Sequence, residues 1–519
     1  GPFLMRGIPS LITDIRKNIF AEVARMAYSG DCSQMEDIPY RIVPGDSPLH
    51  RESVFLERAI AGERVRLAMG LSLQPVQTRT LLTDGMDHAA IAEQYYEPPL
   101  VNIIPYACHA CPTRRYSVTN ICQGCLAASC QSVCPKGAIS FANGKSVIDE
   151  SVCIRCGKCA SACSYHAIAF IERPCQAACG MDAIGLDENG KAQIDYDRCV
   201  SCGQCLVSCP FGAIVDKSQI FQVVRSIAEG NAVVAIVAPS FVGQFGRNVT
   251  VPKFVAAMKQ LGFSDVVEVA AGADVCAIEE ARDFTEKVPA QQKFLATSCC
   301  PSWRMMARRL FPNESGNISM TYTPMIYTAR LVKHTHPGSR VVFIGPCAAK
   351  KLEAMQQELR SDVDFVLTYE ELMGIFEAKN IDFSQLSDTE DLHDASGLGR
   401  GFAAAGGVAA AVEEVLRRTN PDMEVKIQRA DGLRECRRLL TLAKAGKLDG
   451  YLLEGMACPG GCVAGAGTII PAEAAKRQLD AHVRQAEVFS CAESPYRAFA
   501  GLLEEPAAQE ETKRGKEHL

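Results

Sequence analysis

Cys199-Val-Ser-Cys202-Gly-Gln-Cys205-Leu-Val-Ser-Cys209-Pro210 carries the strongest structural signal in this chain. A second run, Cys153-Ile-Arg-Cys156-Gly-Lys-Cys159-Ala-Ser-Ala-Cys163, has the same cysteine spacing. Three thiolates at two-residue gaps can wrap one corner of a [4Fe–4S] cube, and the fourth cysteine reaches across to a neighbouring cluster. A structural zinc site would need two Cys-x2-Cys knuckles and would stop at four ligands. The spacing therefore indicates paired iron–sulfur clusters rather than zinc.

The cysteine content and the charge of the chain limit the kinds of function that it can have. The 519 residues include 25 cysteines and carry a net charge of −6. Cysteines two residues apart would staple very little chain as disulfides, so we expect metal-bound thiols in a reducing compartment, the cytoplasm. A mildly acidic chain offers no electrostatic footprint for nucleic acid. No run of about 18 apolar residues is present, so no membrane span is predicted.

The two ends of the chain show little chemistry. Residues 1–100 hold few cysteines, and their apolar periodicity predicts amphipathic helices at Ile15–Met26 and Ser53–Met69. We therefore expect a helical N-terminal segment there. Residues 501–519 are rich in charge and lack apolar periodicity, which predicts a disordered tail.

Residues 101–215 hold 16 cysteines, and a short unit repeats through them. Cys134-Pro-Lys-Gly-Ala-Ile recurs, with changes, at Cys163, Cys179 and Cys209. Four copies of one unit indicate two copies of a two-cluster module. The long cysteine runs match the bacterial ferredoxin pattern, so we expect α+β ferredoxin-like modules in this region.

The ferredoxin crossing rule assigns these cysteines to clusters that would relay electrons. The three assigned sets are Cys122, Cys125, Cys130 and Cys163; Cys134, Cys153, Cys156 and Cys159; and Cys179, Cys199, Cys202 and Cys205. The cysteines left over, Cys108, Cys111, Cys175 and Cys209, would complete a fourth site, which gives three to four [4Fe–4S] clusters. For Cys108 and Cys111 the alternative is a small zinc site or a free pair.

Residues 216–500 alternate strand-like and helix-like segments, an order that indicates an α/β architecture. The predicted strands are Ala232–Ala238, Val266–Ala270, Phe294–Ala296, Val341–Ile344, Phe365–Leu367 and Tyr451–Leu453. Helices are predicted between the strands, for example at Phe254–Leu261 and Met325–His334.

Three further cysteine motifs lie in this region, each where a predicted strand ends. They are Thr297-Ser-Cys299-Cys300-Pro-Ser-Trp303, Pro346-Cys347-Ala-Ala-Lys350-Lys-Leu-Glu353 and Glu454-Gly-Met456-Ala-Cys458-Pro-Gly-Gly-Cys462. Loops at strand ends of an α/β fold are common positions for functional sites. Four thiolates from these three loops would suit one buried [4Fe–4S] cluster, and Gly460 and Gly461 would permit close backbone approach to it.

In order and over residues 216–500, the three motifs resemble the signatures of [FeFe] hydrogenases. The resemblance implies a catalytic α/β domain of two lobes around an H-cluster. That cofactor is a [4Fe–4S] cube joined through a cysteine to a two-iron subsite with CO, cyanide and azadithiolate ligands. The cysteines that match the cube's ligands are Cys300, Cys347, Cys458 and the bridging Cys462.

The same resemblance implies a cofactor pocket and a proton path. Lys350 is expected to donate to one cyanide ligand and Ser240 to the other. The matching apolar wall positions are Ala238, Pro239, Phe402 and Met456. The thiol of Cys299 is the expected proton shuttle, and the path continues to the surface through Glu280, Ser319 and Asp283. The residues alone would favour a solvated helix face for Glu280 and Asp283.

The implied activity is reversible H2 oxidation and proton reduction in an anaerobe's hydrogen metabolism. Ferredoxin or flavodoxin is the expected electron carrier, because no Gly-x-Gly-x-x-Gly dinucleotide fingerprint is evident. Hydrogenase maturation proteins are the other expected partners. Gly345, Met325, Ser302 and Ala466 depart from the familiar signatures and resemble a less-studied, monomeric branch. The alternatives are an H2-sensing regulatory protein and a hydrogenase-like iron–sulfur assembly factor.

Overall fold

A computed structural model describes residues 10–387, 391–392 and 394–504. The predicted tail therefore lies outside the described residues from position 505 onward. The helices are α1 (Leu11–Ser29), α2 (Ile38–Ile42), α3 (Val54–Ala68), α4 (Met86–Ala89), α5 (Ser129–Ser132), α6 (Lys158–Ser161), α7 (Pro174–Ala178), α8 (Gln204–Ser208), α9 (Ile220–Ala228), α10 (Val251–Leu261), α11 (Ala270–Lys287), α12 (Pro301–Leu310), α13 (Pro324–Thr335), α14 (Ala349–Ala354), α15 (Tyr369–Ala378), α16 (Gly397–Gly401), α17 (Gly407–Thr419), α18 (Leu433–Lys444) and α19 (Ala472–Arg484).

The strands and the short 3₁₀ helices complete the secondary structure. The strands are β1 (Val101–Ile103), β2 (Arg115–Val118), β3 (Ile139–Ala142), β4 (Lys145–Ile148), β5 (Ile168–Ile171), β6 (Ile184–Leu186), β7 (Ala192–Ile194), β8 (Ile214–Asp216), β9 (Val233–Val237), β10 (Asp265–Glu268), β11 (Leu295–Ala296), β12 (Arg340–Gly345), β13 (Phe365–Thr368), β14 (Lys426–Asp431) and β15 (Tyr451–Met456). The 3₁₀ helices are Cys32–Asp37, Pro239–Phe241, Ser315–Asn317, Phe383–Gln385, Cys462–Ala464, Cys491–Glu493 and Pro495–Phe499.

Two N-terminal helices lie where apolar periodicity predicts them. α1 begins with a capping box between Ser10 and Thr13, and ends at Gly30 in the left-handed region. Its buried face packs against α9 and α15, so it shares a core with the α/β region. The amphipathic character predicted for α3 is wrong, because the chain is buried continuously from Ile60 to Leu71. The loop that follows α3 folds back over the helix, and Arg66 donates to the carbonyls of Ser72 and Leu82 at 2.8 Å.

Two parallel sheets form the α/β region. The first has the strand order β10-β9-β12-β13 and the second β11-β15-β14, and every strand pair in both sheets is parallel. β9 is buried along its whole length, as its run of Val and Ile predicts. The predicted strand Val266–Ala270 ends earlier, at Glu268, because α11 begins at Ala270. β14 was not predicted: it is a polar edge strand, and its exposed side chains give no apolar pattern.

The cysteine-rich region consists of two small modules, one inserted into the other. In the inner module, β2 pairs with β5 and encloses the β3–β4 hairpin. In the outer module, β1 pairs with β8 and encloses the β6–β7 hairpin. The inner module, β2 to β5, lies between β1 and β6 in the chain. The outer module is therefore assembled from two segments that are far apart in sequence.

Candidate active site

The carboxyl ends of four parallel strands meet at one cavity. Pro239 follows β9, Cys300 follows β11, Cys347 follows β12 and Cys458 follows β15, and all four residues line this cavity of about 90 Å³. Neighbouring parallel strands of one sheet end at the same edge, so the first sheet brings together the loops after β9 and β12, and the second those after β11 and β15. The cavity lies where these two edges meet. Cys462 lines the same cavity. The structure thus brings together the four cysteines expected to hold the cube.

Local structure fixes the direction of each cysteine loop. Pro301 opens α12, where its fixed φ suits the first helical turn, and Cys300 is therefore the residue that caps this helix. The indole of Trp303 donates to the carbonyl of Thr297 at 3.0 Å and closes the loop between them. Gly461 has a φ of 91°, and a Cβ there would overlap the backbone of Ala405. The absence of a side chain at Gly461 thus allows two backbone segments of this chain to pack closely against each other.

The thiols in this cavity fit an iron–sulfur cube. All four are unpaired cysteines rather than disulfides. Burial, and then the charge of neighbouring thiols, raises the pKa of Cys347 to about 11 and that of Cys462 to about 12. Converging buried thiolates are unfavourable unless a cationic centre lies between them. Among the described residues, no three His, Cys, Asp or Glu side chains are arranged around a single metal ion. Four buried cysteine thiols at one cavity are the usual ligand set of a [4Fe–4S] cube.

Lys350 points toward the cysteine cavity and is held by an ion pair that the motif spacing did not reveal. Its Nζ lies 2.6 Å from Oε2 of Glu353 and donates to the carbonyl of Cys299 at 3.2 Å. Thr323 donates to the other oxygen of Glu353 at 2.7 Å. Burial alone would lower the pKa of Lys350, but the Glu353 carboxylate outweighs burial and raises it. The three-residue spacing of Lys350 and Glu353 on one helix was the available signal.

The predicted wall residues lie where they were expected, with one exception. Ala238, Pro239, Phe402 and Met456 all line the cavity, together with Cys299. Ser240 is fully buried but is not among the lining residues. Its hydroxyl is hydrogen-bonded to the Tyr369 hydroxyl at 2.8 Å. Donation from Ser240 to a cofactor ligand therefore stays a prediction.

Glu280 and Asp283 lie on α11, and only one of them approaches a solvated position. Glu280 is fully buried, so the solvated helix face that its residue type favours is wrong. Its Oε1 accepts from the backbone N–H and the hydroxyl of Ser298 at 2.9 and 3.1 Å. Its Oε2 is buried without a hydrogen-bond partner among the described residues. Burial raises the pKa of Glu280 to about 7.

Asp283 is half-buried, one turn further along α11. Its Oδ2 accepts from the Ser319 hydroxyl at 3.4 Å and from Nζ of Lys287 at 2.9 Å. The structure therefore pairs Ser319 with Asp283, as the predicted path requires. Among the described residues, no direct hydrogen bond joins this pair to Glu280.

Comparisons with known proteins agree with this site. The family described as "Iron only hydrogenase large subunit, C-terminal domain" matches residues 231–466. Iron hydrogenase 1 of Clostridium pasteurianum is 29% identical over 394 residues, which cover 64% of this chain and 67% of the relative. The periplasmic [Fe] hydrogenase large subunit of Nitratidesulfovibrio vulgaris is 29% identical over 42% of this chain and 63% of its own length. Residues 231–466 therefore belong to the [FeFe] hydrogenase family.

Other proteins match this chain at lower identity. A probable cytosolic Fe–S cluster assembly factor of Aedes aegypti is 25% identical over 44% of this chain and 58% of its own length. A solved [FeFe]-hydrogenase of Chlamydomonas reinhardtii aligns with a TM-score of 0.42 and 20% identity, over 52% of this chain and 89% of that chain. Among the described residues, no helix has the length and apolar character that a membrane crossing needs.

The ferredoxin-like modules of this family member also match known domains. Two 4Fe–4S dicluster domains match residues 114–164 and 152–213. The third cysteine set adjoins the hydrogenase cavity, because Cys202 lines that cavity. Burial, together with nearby thiols, raises the pKa of Cys202 to about 12. Gln204 donates from Nε2 to Sγ of Cys458 at 3.3 Å. Gln204 is a second contact that motif spacing did not reveal.

The remaining cysteine sets each line a cavity of their own. Cys122, Cys125, Cys130 and Cys163 line one, and Cys134, Cys153, Cys156 and Cys159 line another. Cys108, Cys111, Cys175 and Cys209 line a third, although Cys108 and Cys111 precede the inner module and the other two follow it. Each set drawn from cysteine spacing is thus gathered at one place in the fold.

Proposed function

We propose that this chain is an [FeFe] hydrogenase that interconverts H2 with protons and electrons. The observation that carries the proposal is the convergence of Cys300, Cys347, Cys458 and Cys462 on one cavity that Cys299 and Lys350 also line. The chain covers between 63% and 67% of the length of the two hydrogenases compared above. Its activity, carriers and cofactor set are therefore argued from its own residues.

The four converging cysteines would hold an H-cluster, with Cys462 as the bridging ligand. When bound, the H-cluster supplies the metal chemistry of H2 cleavage and formation. Lys350 presents a cation at the cavity, and Glu353 fixes its Nζ by an ion pair at 2.6 Å. Phe402 and Met456 are buried and apolar, so they exclude water from the same space.

The proton route runs along α11. The Cys299 thiol, which lines the cavity, holds one proton of the route. Glu280 can hold the next proton at Oε2, the atom without a hydrogen-bond partner among the described residues. A pKa of about 7 suits Glu280 for both accepting and releasing a proton near neutral pH. From Glu280 the proton passes through bridging water to the Ser319–Asp283 pair, and Asp283 releases it to solvent. The shorter Asp283 side chain makes that outer step depend on water.

Electrons travel through the two modules. We assign four [4Fe–4S] clusters to the four cysteine sets described above. The third set lies nearest the H-cluster cavity, since Cys202 lines that cavity. The fourth set lies beside the third, since the Cys175 thiol is close enough for its charge to raise the pKa of Cys205. The inner module then supplies the outermost clusters, where Cys125 and Cys156 are exposed. A small carrier such as ferredoxin or flavodoxin is the expected donor, in the cytoplasm of a cell that also makes the maturation proteins.

The decisive experiment is maturation followed by spectroscopy. The full chain is loaded with [4Fe–4S] clusters and with a two-iron precursor, and is assayed for H2 production with reduced methyl viologen. Infrared bands of CO and cyanide together with H2 production support the proposal. Cys347→Ala is the matched control, since it removes one cube ligand while leaving the module cysteines intact. Bands without turnover would contradict the catalytic assignment and favour a sensor.

An iron–sulfur assembly factor is the second candidate, because such a protein is among the relatives. That function does not need a two-iron subsite. Cys299, Lys350 and the apolar wall would then serve no evident purpose at the cavity. Absence of CO and cyanide bands after maturation, with all [4Fe–4S] clusters present, would favour the assembly factor.

A further inference from the structure

Arg173 is a buried cation without a carboxylate partner among the described residues. It is 2% exposed and follows β5, at the junction between the two modules. Its Nη2 donates to the carbonyls of Cys111 and Gly190. Its Nε and Nη1 are buried and have no hydrogen-bond partner within the described chain. A buried guanidinium in this state is strongly unfavourable unless an anion lies beside it.

The cavity that Arg173 lines shows where that anion belongs. Its other lining residues include Cys108, Cys111, Cys175 and Cys209. The charge of Arg173 favours the thiolate forms of Cys111 and Cys175, and so opposes the effect of their burial. Four thiolates around a [4Fe–4S] cluster carry net negative charge, which would complete the environment of Arg173.

A second buried guanidinium, that of Arg64, is hydrogen-bonded to Gly212, three residues after Cys209. Arg64 is 7% exposed, donates to the carbonyl of Gly212 at 2.9 Å, and leaves Nε without a partner among the described residues. Burial and the charges of Arg16 and Arg51 lower the pKa of Arg64 to about 10, while Cys209 opposes this shift. The fourth cysteine set therefore has cations nearby that its own thiolates would balance.

The other cysteine cavities lack this feature. No arginine lines the cavities of the first and second sets within the described residues. At the H-cluster cavity the lining cation is Lys350, and Glu353 already neutralises it. Lys136, which lines the second cavity, is exposed, so an unbalanced buried cation is found at the fourth set and at none of these three cavities. It distinguishes this site from three others with the same ligand chemistry.

We propose that Arg173 is the counter-ion of a [4Fe–4S] cluster held by Cys108, Cys111, Cys175 and Cys209, and that it raises the reduction potential of that cluster. The inference rests on the proposed electron relay. Reduction adds one electron to the cluster, from the 2+ to the 1+ level, and no bond breaks and no proton is released. A fixed cation in a poorly solvated site favours the more negative, reduced state.

The position of the site gives the raised potential a function. The cluster joins the inner module to the rest of the relay, because two of its ligands precede that module and two follow it. A cluster that reduces more readily than its neighbours retains an electron at this junction. Arg173 therefore acts through the fourth cluster, which stores an electron between the carrier and the third cluster.

Redox titration of the full chain tests the proposal. The chain is prepared with its [4Fe–4S] clusters and without the two-iron subsite, and each reduced cluster is followed by electron paramagnetic resonance. Cys175→Ala identifies the signal of the fourth cluster by removing it, with about four iron atoms per chain. Arg173→Gln removes the charge and Arg173→Lys keeps it. Arg115→Gln is the control, because this arginine is ion-paired with the exposed Glu150 at the module surface.

We expect Arg173→Gln to shift the identified signal to a more negative potential, Arg173→Lys to shift it less, and Arg115→Gln to leave it unchanged. Loss of that signal in Arg173→Gln with retention in Arg173→Lys also supports the proposal, because the charge is then what the cluster requires. An unshifted signal in Arg173→Gln, or loss in both Arg173 variants, overturns it. If Cys175→Ala loses neither iron nor signal, the fourth cluster itself is absent, which is a separate failure.

Discussion

Glu280→Gln should stabilise the protein at alkaline pH while it interrupts proton transfer. Burial raises the pKa of Glu280 from 4.5 to about 7, so the folded chain keeps this carboxyl protonated where the unfolded chain ionises it. Between these two pKa values the folded state binds more protons, and the free energy of unfolding falls as the pH rises. A shift of this size is equivalent to about 3 kcal/mol. Gln keeps the shape of the protonated acid and does not titrate.

The stability difference between Glu280→Gln and the wild-type chain should therefore depend on pH. From pH 5.5 to pH 8 it should grow by about 2 kcal/mol in favour of the variant, since most of the window between the two pKa values is crossed there. Urea denaturation followed by tryptophan fluorescence measures it. Trp303 is the chain's only tryptophan, is fully buried, and lies three residues after Cys300.

Two further comparisons complete this test. Glu286→Gln, an exposed position on the same helix α11, is the matched control and should show no such growth. In the matured enzyme, Glu280→Gln should lower H2 turnover by about 10²–10⁴ and leave the CO and cyanide bands in place. A stability difference that is the same at both pH values would refute the argument, because the buried carboxyl would then carry no unfavourable charge.

The other predictions concern assembly, packing and the proton shuttle. Asp216 and Glu371 lie 2.8 and 2.6 Å from Nζ of Lys351, and Lys351→Met leaves Glu371 buried without this cation and Asp216 with only the more distant Arg16. It should cost about 3–5 kcal/mol in urea denaturation, and an unchanged midpoint would contradict this. Gly455→Ala places a Cβ against the chain's only indole and should cost about 1–3 kcal/mol; a neutral effect would show that the loop can shift. Cys299→Ala should lower turnover by about 10²–10⁴ with unchanged infrared bands, and full turnover would exclude it from the path.

Spacing and hydropathy predicted the parts of the fold that repeat a simple pattern. β9 is a continuous apolar run, and its prediction differs from the structure by one residue at each end. The polar edge strand β14 could not be predicted in that way, since its stability comes from pairing with β15 rather than from its own side chains. Cysteine spacing grouped the first and second sets, each of which lines one cavity, because ligand geometry restricts which cysteines can share a cube. The fourth set followed by elimination.

The nested arrangement of the modules was not evident from the sequence. Cys108-x2-Cys111 and Cys175-x3-Cys179 are the two halves of one ferredoxin-type run, and the inner module separates them. Each half taken alone is too short to indicate its partner. The pairing of β1 with β8 and of β2 with β5 shows where the insertion begins and ends. Spacing rules assume a continuous segment, and an insertion breaks that assumption without changing any ligand.

Around the active site, the sequence predicted only those residues to which a family motif assigns a role. Lys350 was identified, but its partner Glu353 and the donor Gln204 were not. Both residues act through a neighbour, on a nitrogen or a sulfur that the motif already contains. The Gln204 contact depends on the tertiary distance between elements, which no periodicity encodes. The Lys350–Glu353 pair could have been found from their three-residue spacing on α14. Ser240 is a different case: its motif suggests a donor to the cofactor, and its hydroxyl is hydrogen-bonded to that of Tyr369.

The sequence analysis assigned no chemistry to the N-terminal helices, but charged residues of this segment are buried in the structure. Polar residues normally mark a solvated face, yet Arg16 on α1 lies 2.8 Å from Glu370 and 3.7 Å from Asp216. Lys351 binds Asp216 as well, so the network joins α1, the last strand of the outer module and α14, the helix that follows Cys347. Burying one of these charges is unfavourable unless the others are in place. Ion pairs between buried charges thus link the outer cysteine-rich module to the α/β region, and each segment alone would expose these charges to water.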